Sequence, residues 1–195
     1  MEKTTAQQHT ALLVMDIQGP TMKMIKEPAL ITAALNKAIQ HARKSNMPVI
    51  YVVIGFRKGF PDASPAHKTP AGMQRLMAMG LDQDDAYRVH PAVNPQPDDI
   101  IVLKKRVSAF SGSDLEVVLR SLGIKHLVLT GIATSGVVLS TLREAADKDY
   151  QLTVLTDCCA DMDEEVHRVL TTKIFVRQAT VAAVEEWTAA TLQNT

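Results

Sequence analysis

The stretch Gly131-Ile132-Ala133-Thr134-Ser135-Gly136-Val137-Val138 decides how this chain is read, because of what flanks it. The apolar run HLVLTG (126–131) leads in, and the amphipathic segment VVLSTLREAADKD (137–149) leads out. Strand, tight turn and helix in that order leave a helix N-terminus, with unpaired N–H groups, facing an anion or an oxyanion.

The same alternation continues outward in both directions. TALLVMDIQ (10–18) is a nearly continuous apolar run, as in a strand buried on both faces. Pro28 opens a helix up to about Lys44, with Leu30, Ala33, Ala34, Ile39 and Ala42 as its apolar stripe. Met47-Pro48 breaks it, and VIYVVIG (49–55), DIIVLKK (99–105), LTVLTD (152–157) and ATVAAV (179–184) read as further strands. Helices are expected near 113–122, 136–148 and 163–173, and after the last strand; Ser113-Asp114-Leu115-Glu116 has capping-box spacing. This pattern predicts an α/β fold of three layers, a six-stranded, mainly parallel sheet with helices on both faces, Rossmann-like. Residues 1–195 are read as a single domain, the usual outcome at this length. The segment 56–98 is long for a connection and is expected to be a lid or binding loop, with 72–79 helical.

Composition excludes several function classes. Lys+Arg and Asp+Glu both number 21, so no global field favours nucleic acid or an anionic membrane. No apolar run approaches the ~20 residues of a membrane span, and the polar start MEKTTAQQHT does not read as a signal peptide. Cys158 and Cys159 are adjacent, which does not suit a structural disulfide and points to a reducing, cytoplasmic home. No Cys or His spacing suggests a zinc site, and no cofactor is expected.

In an open parallel sheet, ligands bind beyond the carboxyl ends of the strands, where strand order reverses. Asp16 closes the first strand, Lys104 the third, and the turn 131–137 the fourth. Each has a plain structural reading too: Asp16 as a turn residue, Lys104 and Lys105 as a solvated strand end, Thr134 or Ser135 as a helix cap. Their convergence from three strands is what the fold alone does not require.

ALLVMDIQ, LKKRVSAFSGSDLEVVL, GIATSGVV and LTVLTDCCAD followed by EEVHRVL together resemble the isochorismatase-like (cysteine hydrolase) family, over roughly residues 9–183. The resemblance implies Asp16 as catalytic acid/base and Lys104, rather than Lys105, as its cationic partner. It also implies a cis peptide before Ala133 and an oxyanion-binding turn built from Ala133, Thr134, Ser135 and Gly136, with N–H groups of Ala133 and residue 137. The family's attacking Cys falls on Val137, which has no lone pair to attack with. The metal-binding D-x-H of nicotinamidase-like members has no counterpart in GFRKGFPDAS. Ser135 lacks the flanking glycines of a serine nucleophile elbow.

True isochorismatases are similar in keeping the Asp and Lys without the Cys, and cleave a vinyl ether by acid chemistry. The expectation is therefore a hydrolase of a small-molecule metabolite that works without a thiol. The alternatives are a silent metabolite-binding or scaffold protein of the same fold, and an amidase with a displaced nucleophile. Family members similar to this chain form homodimers or homotetramers, with the helix after 137 a candidate for the subunit contact.

Overall fold

The computed structural model describes residues 9–63, 77–82 and 87–193. Six strands, β1 (Thr10–Met15), β2 (Val49–Ile54), β3 (Ile100–Lys104), β4 (His126–Ile132), β5 (Gln151–Ala160) and β6 (Thr180–Ala182), lie in the order β3-β2-β1-β4-β5-β6. Every neighbouring pair is parallel. The order runs one way from β1 through β2 to β3 and the other way from β4 to β6, so it reverses between β1 and β4.

Helices cover both faces. Leu13, Met15, Val52 and Leu129 pack on one side with Leu115 and Leu119 of α3 (Leu115–Ser121) and Leu142 and Ala145 of α4 (Leu139–Asp147). Leu12, Val14 and Val128 pack on the other with Ile31, Leu35 and Ile39 of α2 (Pro28–Lys44) and Trp187 of α6 (Val184–Gln193). Burial on both faces is why β1 carries an unbroken apolar run instead of alternation. Two further short helices are α1 (Gly19–Met22) and α5 (Glu164–Val169).

Local readings need correction in four places. The buried face of α2 is Ile31, Leu35, Ala38, Ile39 and Ala42, whereas Leu30 is 66% exposed and Ala33 is also exposed. Both stripes have helical spacing; the sheet selects the one with larger side chains at its centre. The capping box at 113–116 does not close. Ser113 Oγ accepts from the Leu115 N–H at 3.2 Å, but Glu116 turns outward to Arg120 and Lys148. β5 runs to Ala160, three residues past the expected end, after a register shift opposite Leu129 and Gly131. The helix expected from 136 is preceded by a wide π-type turn, Thr134–Val138, before regular α4 begins. The helical reading of 72–79 falls mostly outside the described residues.

Candidate active site

Asp16 follows β1 directly, at a positive φ of 55°. Asp tolerates this region better than most residues, and here its backbone is pinned. Its N–H donates to the Val52 carbonyl at 2.8 Å, while its own carbonyl accepts from the Gln18 N–H at 3.0 Å and from the Thr21 hydroxyl. Gln18 is fully buried, and its side-chain amide pairs with both backbone groups of Ile54, at 2.8 and 2.9 Å. The end of β2 is thereby tied to the loop that carries Asp16. The sequence contains this clue, a Gln two residues beyond the Asp, but nothing in its periodicity gives it a role.

Lys104 ends β3 pointing into the same layer as Val102 and is 1% exposed. Its ammonium has three protons and three acceptors: Asp16 Oδ2 at 2.9 Å, the Arg106 carbonyl at 3.0 Å and the Val107 carbonyl at 3.1 Å. The loop after β3 therefore folds back to solvate a buried cation. Lys105, set aside at the sequence level, bonds the Gly55 carbonyl at 2.8 Å and Asp62 at 3.4 Å, clasping the two rim loops instead.

The carboxylate is less well served than its partner. Among the described residues, Asp16 Oδ1 is buried with no hydrogen-bond partner. Burial pushes the Asp16 pKa up to about 6, outweighing the opposing charge and hydrogen bond of Lys104. The carboxyl is thus poised to hold a proton near neutrality, on the oxygen that Lys104 leaves free.

The turn after β4 lies beside β1 because Gly131 permits it. Gly131 has φ 141°, and a Cβ there would be driven into the Met15 carbonyl. The Ile132–Ala133 peptide is cis, as the family resemblance implied. The Ala133 carbonyl accepts from the Gly136 N–H at 3.0 Å and the Val138 N–H at 3.3 Å, and Ser135 donates its N–H to Asp161 Oδ2 at 2.7 Å. Neither Thr134 nor Ser135 caps the helix. Thr134 is fully buried with its hydroxyl 2.8 Å from His167 Nδ1, and an aspartate from beyond β5 takes the capping role. Of the turn residues, Ser135, Gly136 and Val138 have their N–H groups engaged, by Asp161 and by the Ala133 carbonyl, while those of Ala133 and Val137 make none of these bonds among the described residues. Val137 is 2% exposed and packs in the same apolar cluster as Met15 and Val138.

The remaining nucleophile candidates are poorly placed. Cys158 and Cys159 are both buried, on opposite faces of β5. Burial raises both thiols, Cys159 to about 12, so neither is a thiolate near neutral pH. A cleft of about 520 Å³ is lined by Leu30, Ile31, Ala160, Asp161 and His167 among others, and Asp16, Lys104 and the residues of the turn are not in its lining.

A family model described as the isochorismatase domain matches residues 10–186. The chain belongs to the isochorismatase family. Its relatives include the uncharacterized isochorismatase family protein YwoC of Bacillus subtilis (strain 168), 31% identical over 92% of this chain and 93% of that protein. The ureidoacrylate amidohydrolase RutB of Caulobacter vibrioides is 37% identical over 76% of this chain and 75% of its own. An isochorismatase family protein from Burkholderia thailandensis superposes with a TM-score of 0.81 at 27% identity, over 94% of this chain and 95% of its own. The family is one of hydrolases, and no helix among the described residues is long and apolar enough to cross a membrane.

Proposed function

We propose that this isochorismatase-family chain hydrolyses a small metabolite without a thiol, with Asp16 as acid/base and Lys104 as its electrostatic partner. The observation that carries this reading is the buried, unpartnered Asp16 Oδ1 on a carboxyl whose other oxygen is held by Lys104. With a pKa raised to about 6, about a tenth of the carboxyl is protonated at pH 7, enough for a general acid. The substrate class the chemistry fits best is a vinyl ether. Asp16 delivers its proton to the enol carbon, and the oxocarbenium ion that forms is captured by water. The Asp16 carboxylate, held by Lys104, takes back a proton from that water, and the hemiketal collapses to a carbonyl compound and an alcohol. The N–H groups of Ala133 and Val137 support the negative charge that develops on the leaving alcohol oxygen as the hemiketal collapses, and the Val137 side chain fills the position of the family's nucleophile without reacting. The same reading takes residues 1–195 as one cytoplasmic domain that forms a homodimer or homotetramer through the helix after Val137.

The test is a turnover screen of vinyl ethers, amides and esters, on untreated protein and after thiol alkylation. Vinyl-ether turnover should survive alkylation and fall by about 10²–10⁴-fold in Asp16→Asn. The double variant Asp16→Asn/Lys104→Met, which buries no unpaired charge, should be equally inactive and guards against a folding artefact. Loss on alkylation without loss in these variants would point to a displaced thiol and an amidase. No turnover of any class would leave a metabolite-binding protein.

A further inference from the structure

The segment after β5 makes two contacts that the proposed chemistry does not use. β5 overruns so that Ala160 pairs with Ile132, which brings Asp161 out abreast of the turn. Asp161 accepts the Ser135 N–H, and six residues later His167 meets the Thr134 hydroxyl. These are consecutive turn residues, gripped from one side by two side chains of different elements. The helix carrying His167 starts at a well-made cap, Asp163 Oδ1 accepting from the Glu165 and Val166 N–H groups. The helix buries no residue over Glu164–Val169, and its anchorage in the core comes only further on, where the helical segment continues through Leu170–Ile174 to the buried Phe175. Its inward hydrogen bond is the one to Thr134.

We propose that Asp161 and His167 are positioning residues, which fix the turn 133–138 so that the Ala133 N–H stays aimed at the reacting oxygen. The aim of that N–H rests on the function proposed above; the clamp does not. Burial lowers the pKa of His167, and a neutral ring offers Nδ1 as an acceptor for the wholly buried Thr134 hydroxyl. Asp161 occupies the anion position at the start of the turn, which excludes a free phosphate there and leaves the Ala133 N–H open. A shift of about 1 Å in such a group costs on the order of 10²-fold in rate.

The experiment compares Thr134→Val and His167→Leu, which remove the bond, with Thr134→Ser and His167→Asn, which keep a donor or an amide in place. Amide hydrogen exchange is read at residues 133–138 and, as a reference, along β1 and β2. The disrupting pair should speed exchange at the turn by about tenfold, roughly one hydrogen bond's worth, with the reference strands unchanged. kcat should fall by about 10²-fold at nearly constant KM, the conservative pair should recover most of it, and Thr134→Val/His167→Leu should be no worse than either single change. Asp161→Ala should behave like the disrupting pair, and Asp161→Asn like the conservative one. Unchanged exchange at the turn, or equal loss in conservative and disrupting variants, overturns the proposal. Faster exchange at the turn in a protein that turns over no substrate would uphold the clamp and sink the function it was thought to serve.

Discussion

Each end of the sheet takes a titratable group partly or wholly out of water, and the two ends treat it in opposite ways. At the amino end, His126 opens β4 between the neighbouring strands β1 and β5. Its Nε2 lies 2.9 Å from Thr153 Oγ1 and its Nδ1 a long 3.5 Å from Thr10 Oγ1. Burial alone lowers its pKa, and both ring nitrogens have partners. At the carboxyl end, Lys104 is fully satisfied while Asp16 keeps one oxygen with no partner among the described residues. Desolvation is common to both, complete for Asp16 and Lys104 and partial for the half-buried His126, so desolvation by itself does not mark a site. An orphaned acceptor beside a buried cation does, because the fold has no structural reason to leave one.

The largest effect expected from this contrast is in stability. Asp16→Asn strands a buried ammonium and should cost about 3–5 kcal/mol in urea unfolding at pH 7. Lys104→Met should cost less, because Asp16 can escape its unpaired state by taking a proton. Removing both charges together should come close to the parent stability, a strongly non-additive cycle. The sign with pH follows from the raised carboxyl. Its folded pKa, about 6, lies above the ordinary carboxyl value of 3.8, so its contribution is fully present below the unfolded pKa and is lost as pH rises through the folded one. Lys104→Met should therefore be more destabilising at pH 8 than at pH 5. Additive costs, with no pH dependence, would mean that Asp16 and Lys104 are not energetically coupled and that the two ends differ less than they look.

How far this contrast was legible beforehand depends on the kind of signal. The six strands, Asp16 and Lys104 came from apolar runs closed by a polar residue, and the cis peptide and oxyanion turn came from family resemblance. Hydrophobic period could not choose between two stripes on α2, since Leu30 and Ile31 are adjacent and only the sheet's position decides which is buried. Asp161 and His167 were quoted within a matching segment but given no role. Their function depends on how far β5 runs beside β4, and a register shift leaves no mark in hydropathy. Gln18 was missed for the same reason, because its partner Ile54 is 36 residues away.

A smaller effect should appear in the pH profile of turnover. If the protonated carboxyl is the active form, the rate falls as pH rises through the Asp16 pKa of about 6. Lys104→Met removes the charge and hydrogen bond that hold this value down, so the falling limb should move upward, by about 1–3 units, while the maximal rate drops. A limb that stays in place would mean that another group sets it, and Asp16 would no longer be the proton donor.

The smallest effect belongs to the amino end, and it checks the comparison from the other side. His126→Leu removes two side-chain hydrogen bonds, one of them long, and should cost about 1–2 kcal/mol. A histidine whose folded pKa is depressed contributes stability above its unfolded pKa, near 6.5, and loses it as pH falls through the folded value. The difference in unfolding free energy between the parent and His126→Leu should therefore shrink as pH is lowered from 8 towards 5. Taking that difference cancels His41 and His167, whose pKa values are also lowered. Turnover should be unchanged throughout, because β4 carries His126 at one end and the turn proposed to bind the reacting oxygen at the other, with an intact apolar run between them. If His126→Leu slowed turnover while leaving stability alone, the amino end would have a part in catalysis, and a fully partnered, half-buried group could no longer be read as structural.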